Sequence, residues 1–279
     1  GSFVLPGFYG ATVDGAIKLF QRGGGDITGA IVARCLDADL YENWTDVSGF
    51  LSADPRIVQN PRAIGRITFD EMRELSYMGA SVLQEEAIFP VREANIPIQI
   101  KNTNRPEDTG TVIRETADGD TNEHLITGIA GKKDFLAIHV KKAHMSNEVG
   151  VISRALNIVE RYGVSVEHIP TGVDSFGIVV NASDVKDTVY SIISDIRREI
   201  EPDDITMVDR LALVSVVGRN MSRRSGTSGK IFGALGNAGV NIRMITQSSE
   251  EISIIVGVDN ADFDRTIGVI YNGFVRDEM

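Results

Sequence analysis

Two stretches of the sequence carry residue types suited to binding anions. In the first, Gln21 to Asp26, three consecutive glycines precede an apolar helical pattern that starts at Ile27. Glycines at this position let the backbone approach an anion closely, and the free N–H groups of the first helical turn favour negative charge. No Gly-Lys-Ser/Thr follows, so the run is not a Walker A loop. Taken alone, a glycine cluster of this kind is more often simply a turn.

The second stretch, Met145 to Gly150, also precedes a helical pattern, whose predicted N-terminus would attract a carboxylate. A free amino acid carries a carboxylate and an ammonium group. Glu167, which follows the run Gly163 to Val166, could balance that ammonium. The alternative is that the loop only caps its helix and that Glu167 is a solvated strand end. The spacing alone favours this alternative.

The elements around the first stretch alternate between strands and helices. Strand patterns are predicted at Tyr41 to Thr45 and at Ile96 to Ile100, and Thr68 with Glu71 forms a capping box that opens a helix. Such alternation predicts an α/β segment with a largely parallel sheet. Ligands of these sheets bind at the carboxyl ends of strands, where Thr45, Asp46 and the glycine cluster are expected to lie.

The second half of the chain contains an internal repeat. Three ungapped matches recur at an offset of 76 residues: residues 136–140 with 212–216, 163–166 with 239–242, and 176–180 with 252–256. Each unit is predicted to form a small α+β sandwich with helices on one face of an antiparallel sheet, and Gly163 is expected to end its first helix. The pattern resembles the ACT domain, a regulatory amino-acid-binding module.

The chain as a whole resembles the aspartokinases of the amino-acid kinase family. The matching runs are Arg22 to Asp26, Trp44 to Gly49, Ala53 to Arg56, Glu71 to Leu75, Met78 to Val82 and Thr109 to Thr111. The resemblance implies a partial amino-acid-kinase αβα sandwich, with a mostly parallel sheet, followed by two α+β ACT domains of ferredoxin-like type. We expect the kinase segment in residues 1–114, a linker in 115–132, and the two ACT domains in 133–206 and 207–279.

The resemblance also implies a catalytic and substrate site and a nucleotide site. The residues matched to the aspartate substrate are Arg22, Gly23 and Asp26, and those matched to the nucleotide are Thr45, Asp46, Leu51, Arg56, Ser81 and Val82. Three positions depart from the family pattern: Gly25 replaces a common serine, Leu51 a common tyrosine and Ser81 a common lysine. For Arg56 the spacing alone favours a surface ion pair with Asp54 instead.

Family members phosphorylate the side-chain carboxylate of L-aspartate with ATP and Mg²⁺, and no tightly bound cofactor is implied. Their Lys-Phe-Gly-Gly motif, whose lysine neutralises the transferred phosphate, does not occur in these 279 residues. Phosphoryl transfer relies mainly on positioning and charge stabilisation. We therefore expect little or no kinase activity from this chain alone.

The family's ACT pair senses an end product of the pathway to lysine, threonine and methionine, and it pairs across a two-fold axis. The resemblance thus implies a homodimer. The expected effector-binding residues are Met145, Glu148, Val151, Ile152, Val166 and Glu167, with Asn241, Ile242 and Met244 facing the partner's site. Because Glu148 and Glu167 are acidic, lysine is favoured over threonine.

Composition excludes several other classes of protein. The net charge of −11 argues against a nucleic-acid partner, and the apolar runs are too short to span a membrane. One cysteine, Cys35, is expected in the core and fits a reducing, cytoplasmic setting. The four histidines lack metal-ligand spacing. Two alternatives remain open: a non-catalytic ACT-type regulatory module, and a kinase for another amino acid such as glutamate.

Overall fold

The structure is a computed structural model that describes residues 1–20, 23–80, 82–83, 88–116 and 124–276. The strands in this part of the chain are β1 Tyr9–Ala11, β2 Ile17–Leu19, β3 Tyr41–Thr45, β4 Arg66–Thr68, β5 Ile98–Asn102, β6 Thr111–Arg114, β7 Gly128–Lys141, β8 Ser175–Asn181, β9 Asp204–Val217, β10 Met244–Gln247 and β11 Ser253–Asp259. The α-helices are α1 Gly24–Cys35, α2 Phe69–Tyr77, α3 Ile88–Glu93, α4 Val151–Arg161, α5 Val189–Ile200, α6 Thr227–Asn237 and α7 Phe263–Ile270. None of these helices is long and apolar enough to cross a membrane.

The front segment forms a four-stranded sheet in the order β3-β5-β6-β4. The pairs β3–β5 and β4–β6 are parallel, and the central pair β5–β6 is antiparallel. The prediction of an α/β segment with a mostly parallel sheet is confirmed. Strand β5 begins at Ile98 rather than at the predicted Ile96, because the Ile96 N–H is bonded to the Val91 carbonyl at the end of α3 and Pro97 has no N–H to donate.

Helix α2 begins at the predicted capping box. The Thr68 hydroxyl accepts a hydrogen bond from the Glu71 N–H at 3.2 Å, and the Glu71 carboxylate accepts one from the Thr68 N–H at 3.0 Å. The helix then buries Met72 and Leu75 at the i and i+3 spacing of one face. Its position matters for the rest of the molecule, because residues 78–80 directly after it lie at the edge of a large cavity.

The two repeats share one five-stranded antiparallel sheet in the order β10-β11-β9-β7-β8. Strands β7 and β9 each have 14 residues and serve both repeats. Residues 128–132 of β7 pair with residues 213–217 of β9, whereas residues 135–141 pair with residues 204–211. Residues 128–132 and 204–208, which we call the exchanged strands, are themselves related by the 76-residue offset. Each unit therefore completes its sheet with the stretch that precedes the other unit's first strand.

The expected domain boundaries stay predictions, but two of them fall inside strands. Residues 128–132 of the predicted linker belong to β7, and the boundary between residues 206 and 207 lies within β9. The long strands cross these boundaries because each exchanged strand runs without interruption into the first strand of the next unit. The offset itself could not show this, since it says nothing about which strands pair.

The shared sheet is the middle layer of the molecule. Leu136 and Ile138 pack with α4 and α5, and Val214 and Val216 pack with α6 and α7. Alternate residues such as Ala137 belong to the core of the front segment, which includes Met72 and Leu75 of α2. This is the alternation expected of a strand buried on both faces. The predicted helical face is confirmed, and the front segment covers the opposite face.

Two finer predictions need correction. Cys35 is exposed rather than buried, because Ala30 and Ala33 form the inward face of α1 and Cys35 lies about 200° around the helix from Ala33. Helix α5 begins at Val189, two residues after the predicted start at Asp187. Gly163 does follow α4 in the left-handed conformation, with φ +67°, as the sequence indicates.

Candidate functional site

The predicted aspartate-binding residues lie at the start of α1. Gly23 is the N-cap and adopts the left-handed conformation with φ +88°. The Asp26 carboxylate accepts a hydrogen bond from Asn43 Nδ2 at 2.9 Å, and the Tyr41 hydroxyl donates to the Asp26 carbonyl at 3.1 Å. Burial raises the pKa of Tyr41, which keeps the hydroxyl protonated as a donor. Two side chains of β3 thus fix the first turn of α1, whereas the predicted Arg22 lies outside the described residues.

A cavity of about 720 Å³ opens where β3 and β5 end. This volume is within the range of small-molecule sites. Four of the six predicted nucleotide residues line it: Asp46, Leu51, Arg56 and Val82. Thr45 is the last residue of β3, and its hydroxyl donates to Asp46 at 3.2 Å without Thr45 itself lining the cavity. The predicted Ser81 lies outside the described residues.

Arg56 is at the rim of this cavity and forms an ion pair with Asp54. Its Nη2 lies 2.6 Å from Asp54 Oδ2 and its Nε 3.0 Å from Oδ1, which is the bidentate geometry of a guanidinium and a carboxylate. The hydrogen bond from Arg56 holds the pKa of Asp54 below its ordinary value against the opposing effect of burial. In this structure Arg56 therefore makes the ion pair with Asp54 that the spacing alone favoured. Because the Arg56 side chain is 88% exposed, exchanging Asp54 for another anion would cost little.

The far wall of the cavity comes from the repeats. Ile129, Ala130 and Gly131 of β7 and Phe263 and Ile267 of α7 face the loop residues of the front segment. No sequence pattern predicts this wall, because each of these residues also fits the apolar pattern of its own unit. Only the packing of the two parts shows that they enclose a common space.

A buried carboxylate joins the front segment to the second repeat. Glu71 of α2 is fully buried, and its oxygens accept hydrogen bonds from the Thr127 hydroxyl at 2.6 Å, the Arg219 N–H at 2.9 Å and Arg219 Nη1 at 2.9 Å. Burial alone raises the pKa of Glu71, but these bonds, the Thr68 N–H and the charge of Arg219 outweigh it, and the pKa lies below its ordinary value. We call Glu71, Thr68, Thr127 and Arg219 the Glu71 junction.

The repeat explains why this carboxylate is needed. Arg219 corresponds to Ala143 and Thr127 to Asp203 at the 76-residue offset. In the first unit the Ala143 N–H donates to the Asp203 carboxylate at 2.6 Å, so the loop is completed from within the repeats. In the second unit Thr127 has no carboxylate, and Glu71 of the front segment takes its place. Sequence reasoning identified Glu71 as a helix cap but missed this second role.

Of the six predicted effector residues of the first unit, Val166 and Glu167 line one groove, and the other four are not among the lining residues of that groove. Met145 and Val151 are buried in the core of their unit, and Ile152 and Val166 pack against it. Glu148 is exposed and paired with Lys142 at 3.3 Å and with Arg154. This carboxylate is thus already balanced by two cations.

Glu167 lies apart from Glu148, in a groove of about 690 Å³ that it lines with Val166 and residues of α4. Its carboxylate accepts a hydrogen bond from the Tyr77 hydroxyl at 2.5 Å, which places it in contact with the last residue of α2. The sequence suggested two roles for Glu167, as a ligand of an ammonium group or as a solvated strand end. The structure adds a third role, because Glu167 also contacts the front segment through Tyr77. Three residues were predicted to face a partner. Asn241 and Ile242 lie just before β10 and Met244 is its first residue, and none of the three lines this groove.

The described residues contain no group of three or more His, Cys, Asp or Glu side chains that could hold a metal ion. His168 is half-buried, and burial lowers its pKa, so it stays neutral near pH 7.

Fold and site together define an amino-acid-kinase segment joined to ACT-type units. Residues 2–102 match the amino acid kinase family, and residues 214–274 match an ACT domain. Aspartokinase 3 of Bacillus subtilis is 41% identical over 275 residues, which cover 98% of this chain and 60% of that protein.

Solved structures extend the likeness to three dimensions. The crystal structure of Clostridium acetobutylicum aspartate kinase matches with a TM-score of 0.92 and 52% identity over 96% of this chain and 62% of that one. Escherichia coli aspartokinase III in complex with aspartate and ADP matches with a TM-score of 0.76 and 26% identity, covering 96% and 59%. Over the part that it shares with them the chain is similar to the aspartokinases, and it spans about three fifths of the length of these relatives.

Proposed function

We propose that this chain is part of an aspartokinase, which transfers the γ-phosphoryl group of ATP to the side-chain carboxylate of L-aspartate to give 4-phospho-L-aspartate. The observation that carries the proposal is the cavity at the ends of β3 and β5, which gathers Asp46, Leu51, Arg56 and Val82. It is supported by the E. coli relative, which was crystallised with aspartate and ADP.

In this proposal the two ends of the site have separate tasks. The first turn of α1, with Gly23 and Asp26, binds aspartate, and Arg22 grips its carboxylate bidentately. Arg56 leaves Asp54 to bind the phosphates of ATP, which carry Mg²⁺ with them. The chemistry then depends on holding the two substrates in line and on neutralising the charge of the transferred group.

Binding and turnover test this proposal separately. Calorimetric titration of the 279-residue chain with MgATP and with L-aspartate should show binding of both. Asp46→Asn should weaken MgATP binding more than Asp39→Asn, a control in the exposed loop between α1 and β3. Equal binding of L-glutamate and L-aspartate would contradict the choice of substrate. We expect little aspartate-dependent ADP release from this chain alone, since it has no Lys-Phe-Gly-Gly run. Turnover near the rate of a full-length aspartokinase relative would contradict that part.

We further propose that the ACT-type units bind an end-product amino acid, lysine rather than threonine, and join two copies of the chain in a cytoplasmic homodimer. The support is the acidic side chain of Glu167, which lines the groove beside α4, and a crystal structure of the E. coli relative in complex with lysine and aspartate. Calorimetry with both amino acids, combined with sedimentation at several protein concentrations, tests the two parts. Binding of threonine alone would contradict the choice of lysine, and a monomer at all concentrations would contradict the dimer.

A further inference from the structure

Tyr77, the last residue of α2, contacts both repeats. Its hydroxyl donates to the Glu167 carboxylate of the first unit at 2.5 Å. Lys132, on the exchanged strand that completes the sheet of the second unit, places its Nζ 5.2 Å from the centroid of the Tyr77 ring. Tyr77 is 49% exposed, so directed contacts fix its side chain more than burial does.

The three residues that follow Tyr77 belong to the wall of the 720 Å³ cavity. We call residues 78–80 the cavity turn. The N–H of its second residue donates to the Ser76 carbonyl at 3.0 Å, and the N–H of its third residue donates to the Leu75 carbonyl at 2.9 Å. Because these bonds tie the cavity turn to the end of α2, a displacement of α2 at Tyr77 also displaces this part of the cavity wall.

The cavity turn also lies against β7. A Cβ atom at Gly79 would lie 3.6 Å from Lys132 Cγ and 3.7 Å from the Gly131 carbonyl oxygen. Gly79 therefore runs within van der Waals reach of the same lysine that contacts the Tyr77 ring. Tyr77 and the cavity turn thus share a support on β7, and Glu167 adds a support from the first unit.

The groove that Glu167 lines suits a ligand with an ammonium group. Its lining includes the Glu160 and Glu167 carboxylates and, among the described residues, no lysine or arginine side chain. An ammonium group attracts a carboxylate with a full charge, which the neutral Tyr77 hydroxyl lacks. Such a ligand and the Tyr77 hydroxyl would both bind the Glu167 carboxylate, from opposite directions.

We propose that Tyr77 is a positioning residue that couples the groove to the cavity. While its hydroxyl is bonded to Glu167, the cavity turn is held in the form that binds the nucleotide. A ligand ammonium that draws Glu167 into the groove releases the hydroxyl, and the cavity turn loosens. The nucleotide and the groove ligand then weaken each other's binding by the same factor. This coupling rests on the proposed function, because it needs a nucleotide in the cavity and an amino acid in the groove.

Calorimetry measures the coupling in the 279-residue chain, with L-lysine as the probe of the groove. The exchange of one hydrogen bond corresponds to about two- to tenfold in a binding constant, so saturating lysine should weaken MgATP binding about fivefold. Tyr77→Phe keeps the ring but removes the hydroxyl, and it should reduce this factor to about one. Tyr190→Phe is the matched control, because it removes an exposed hydroxyl of α5 and should leave the fivefold effect in place.

Hydrogen exchange adds a readout that a merely structural role would not change. The N–H groups of Gly79 and Ala80 are both bonded to α2, so their exchange reports how firmly the cavity turn is held. Lysine should speed their exchange in the unaltered chain. In Tyr77→Phe the exchange should be fast with and without lysine.

The outcomes separate the coupling from the proposed function. If lysine still weakens MgATP fivefold in Tyr77→Phe, Tyr77 does not couple the two sites, and the proposed function stands. If the unaltered chain binds both ligands independently, or binds lysine without any change in exchange at residues 79 and 80, the coupling is also refuted. If the unaltered chain fails to bind MgATP or lysine, that part of the proposed function is refuted and the coupling falls with it.

Discussion

Replacing Glu71 by alanine should destabilise the chain more than any ordinary surface change. Glu71 is fully buried and accepts hydrogen bonds from five donor groups: the Thr68 N–H, the Thr68 hydroxyl, the Thr127 hydroxyl, the Arg219 N–H and the Arg219 guanidinium. Loss of the capping box costs about 1 kcal/mol. Loss of the bonds between the Glu71 carboxylate and Arg219, whose side chain is 23% exposed and therefore partly hydrated, costs about 2–3 kcal/mol.

The total of about 3–4 kcal/mol corresponds to a fall in melting temperature of about 10 °C for a chain of this size. Differential scanning calorimetry measures this fall, and urea unfolding followed by circular dichroism measures the free energy directly. The melting temperature of Glu71→Gln should lie between those of the wild type and Glu71→Ala. The amide keeps an acceptor for the Thr127 hydroxyl but lacks the charge that pairs with Arg219.

The control is Glu93→Gln on α3. Glu93 is 74% exposed and lies 3.8 Å from Arg34, so its ion pair is solvated and should contribute less than about 1 kcal/mol. If Glu71→Ala and Glu93→Gln shift the melting temperature equally, the buried junction contributes no more than a surface pair, and the reasoning is refuted.

Three further predictions concern the same interfaces. Because the folded pKa of Glu71 is below its ordinary value of 4.5, its charge stabilises the fold at neutral pH, and the difference in unfolding free energy between the wild type and Glu71→Gln should shrink as the pH falls below 4.5; a difference that grows instead would contradict the direction of the shift. Tyr77→Phe removes the hydroxyl bonded to Glu167 and should tighten effector binding about fivefold in calorimetry, with the exposed Tyr190→Phe as control, whereas weaker binding would show that the contact supports the effector site. Gly131→Ala should lower the unfolding free energy by about 1–3 kcal/mol, because its Cβ meets the Leu213 carbonyl and Phe263, while Gly229→Ala in the open interior of α6 should raise it by up to about 1 kcal/mol; loss of stability in both would mean that crowding at residue 131 is not the cause.

Much of the architecture follows from short-range patterns. The capping box at Thr68 and Glu71, the αL glycine at Gly163 and the 76-residue repeat each depend on neighbouring residues or on copies of one pattern. The strand patterns likewise predicted where the strands of the front segment end, and ligands of α/β sheets bind at such ends. The resemblance placed Asp46, Leu51, Arg56 and Val82 together, and the structure brings these four to one cavity.

The features that escaped prediction all join distant parts of the chain. The burial of Glu71 depends on Arg219, 148 residues away, and neither residue type reveals the other. Phe263 and Ile267 look like ordinary core residues of a helix, and only the contact with the front segment makes them line a cavity. The prediction that Cys35 is buried was wrong for a local reason. The apolar stretch of α1 extends around more of the helix than the sheet covers.

The exchanged strands have a consequence for synthesis on the ribosome. Residues 128–132 emerge first, but their partners, residues 213–217, follow more than 80 residues later. Until then this stretch is an unpaired β-strand edge, the kind of surface that invites pairing with another chain. The first unit, by contrast, completes its sheet as soon as residues 204–208 appear. The connectivity therefore sets the order of assembly. The first unit can complete its sheet before the second, and the second unit pairs with residues 128–132, which are synthesised before the remaining strands of both units.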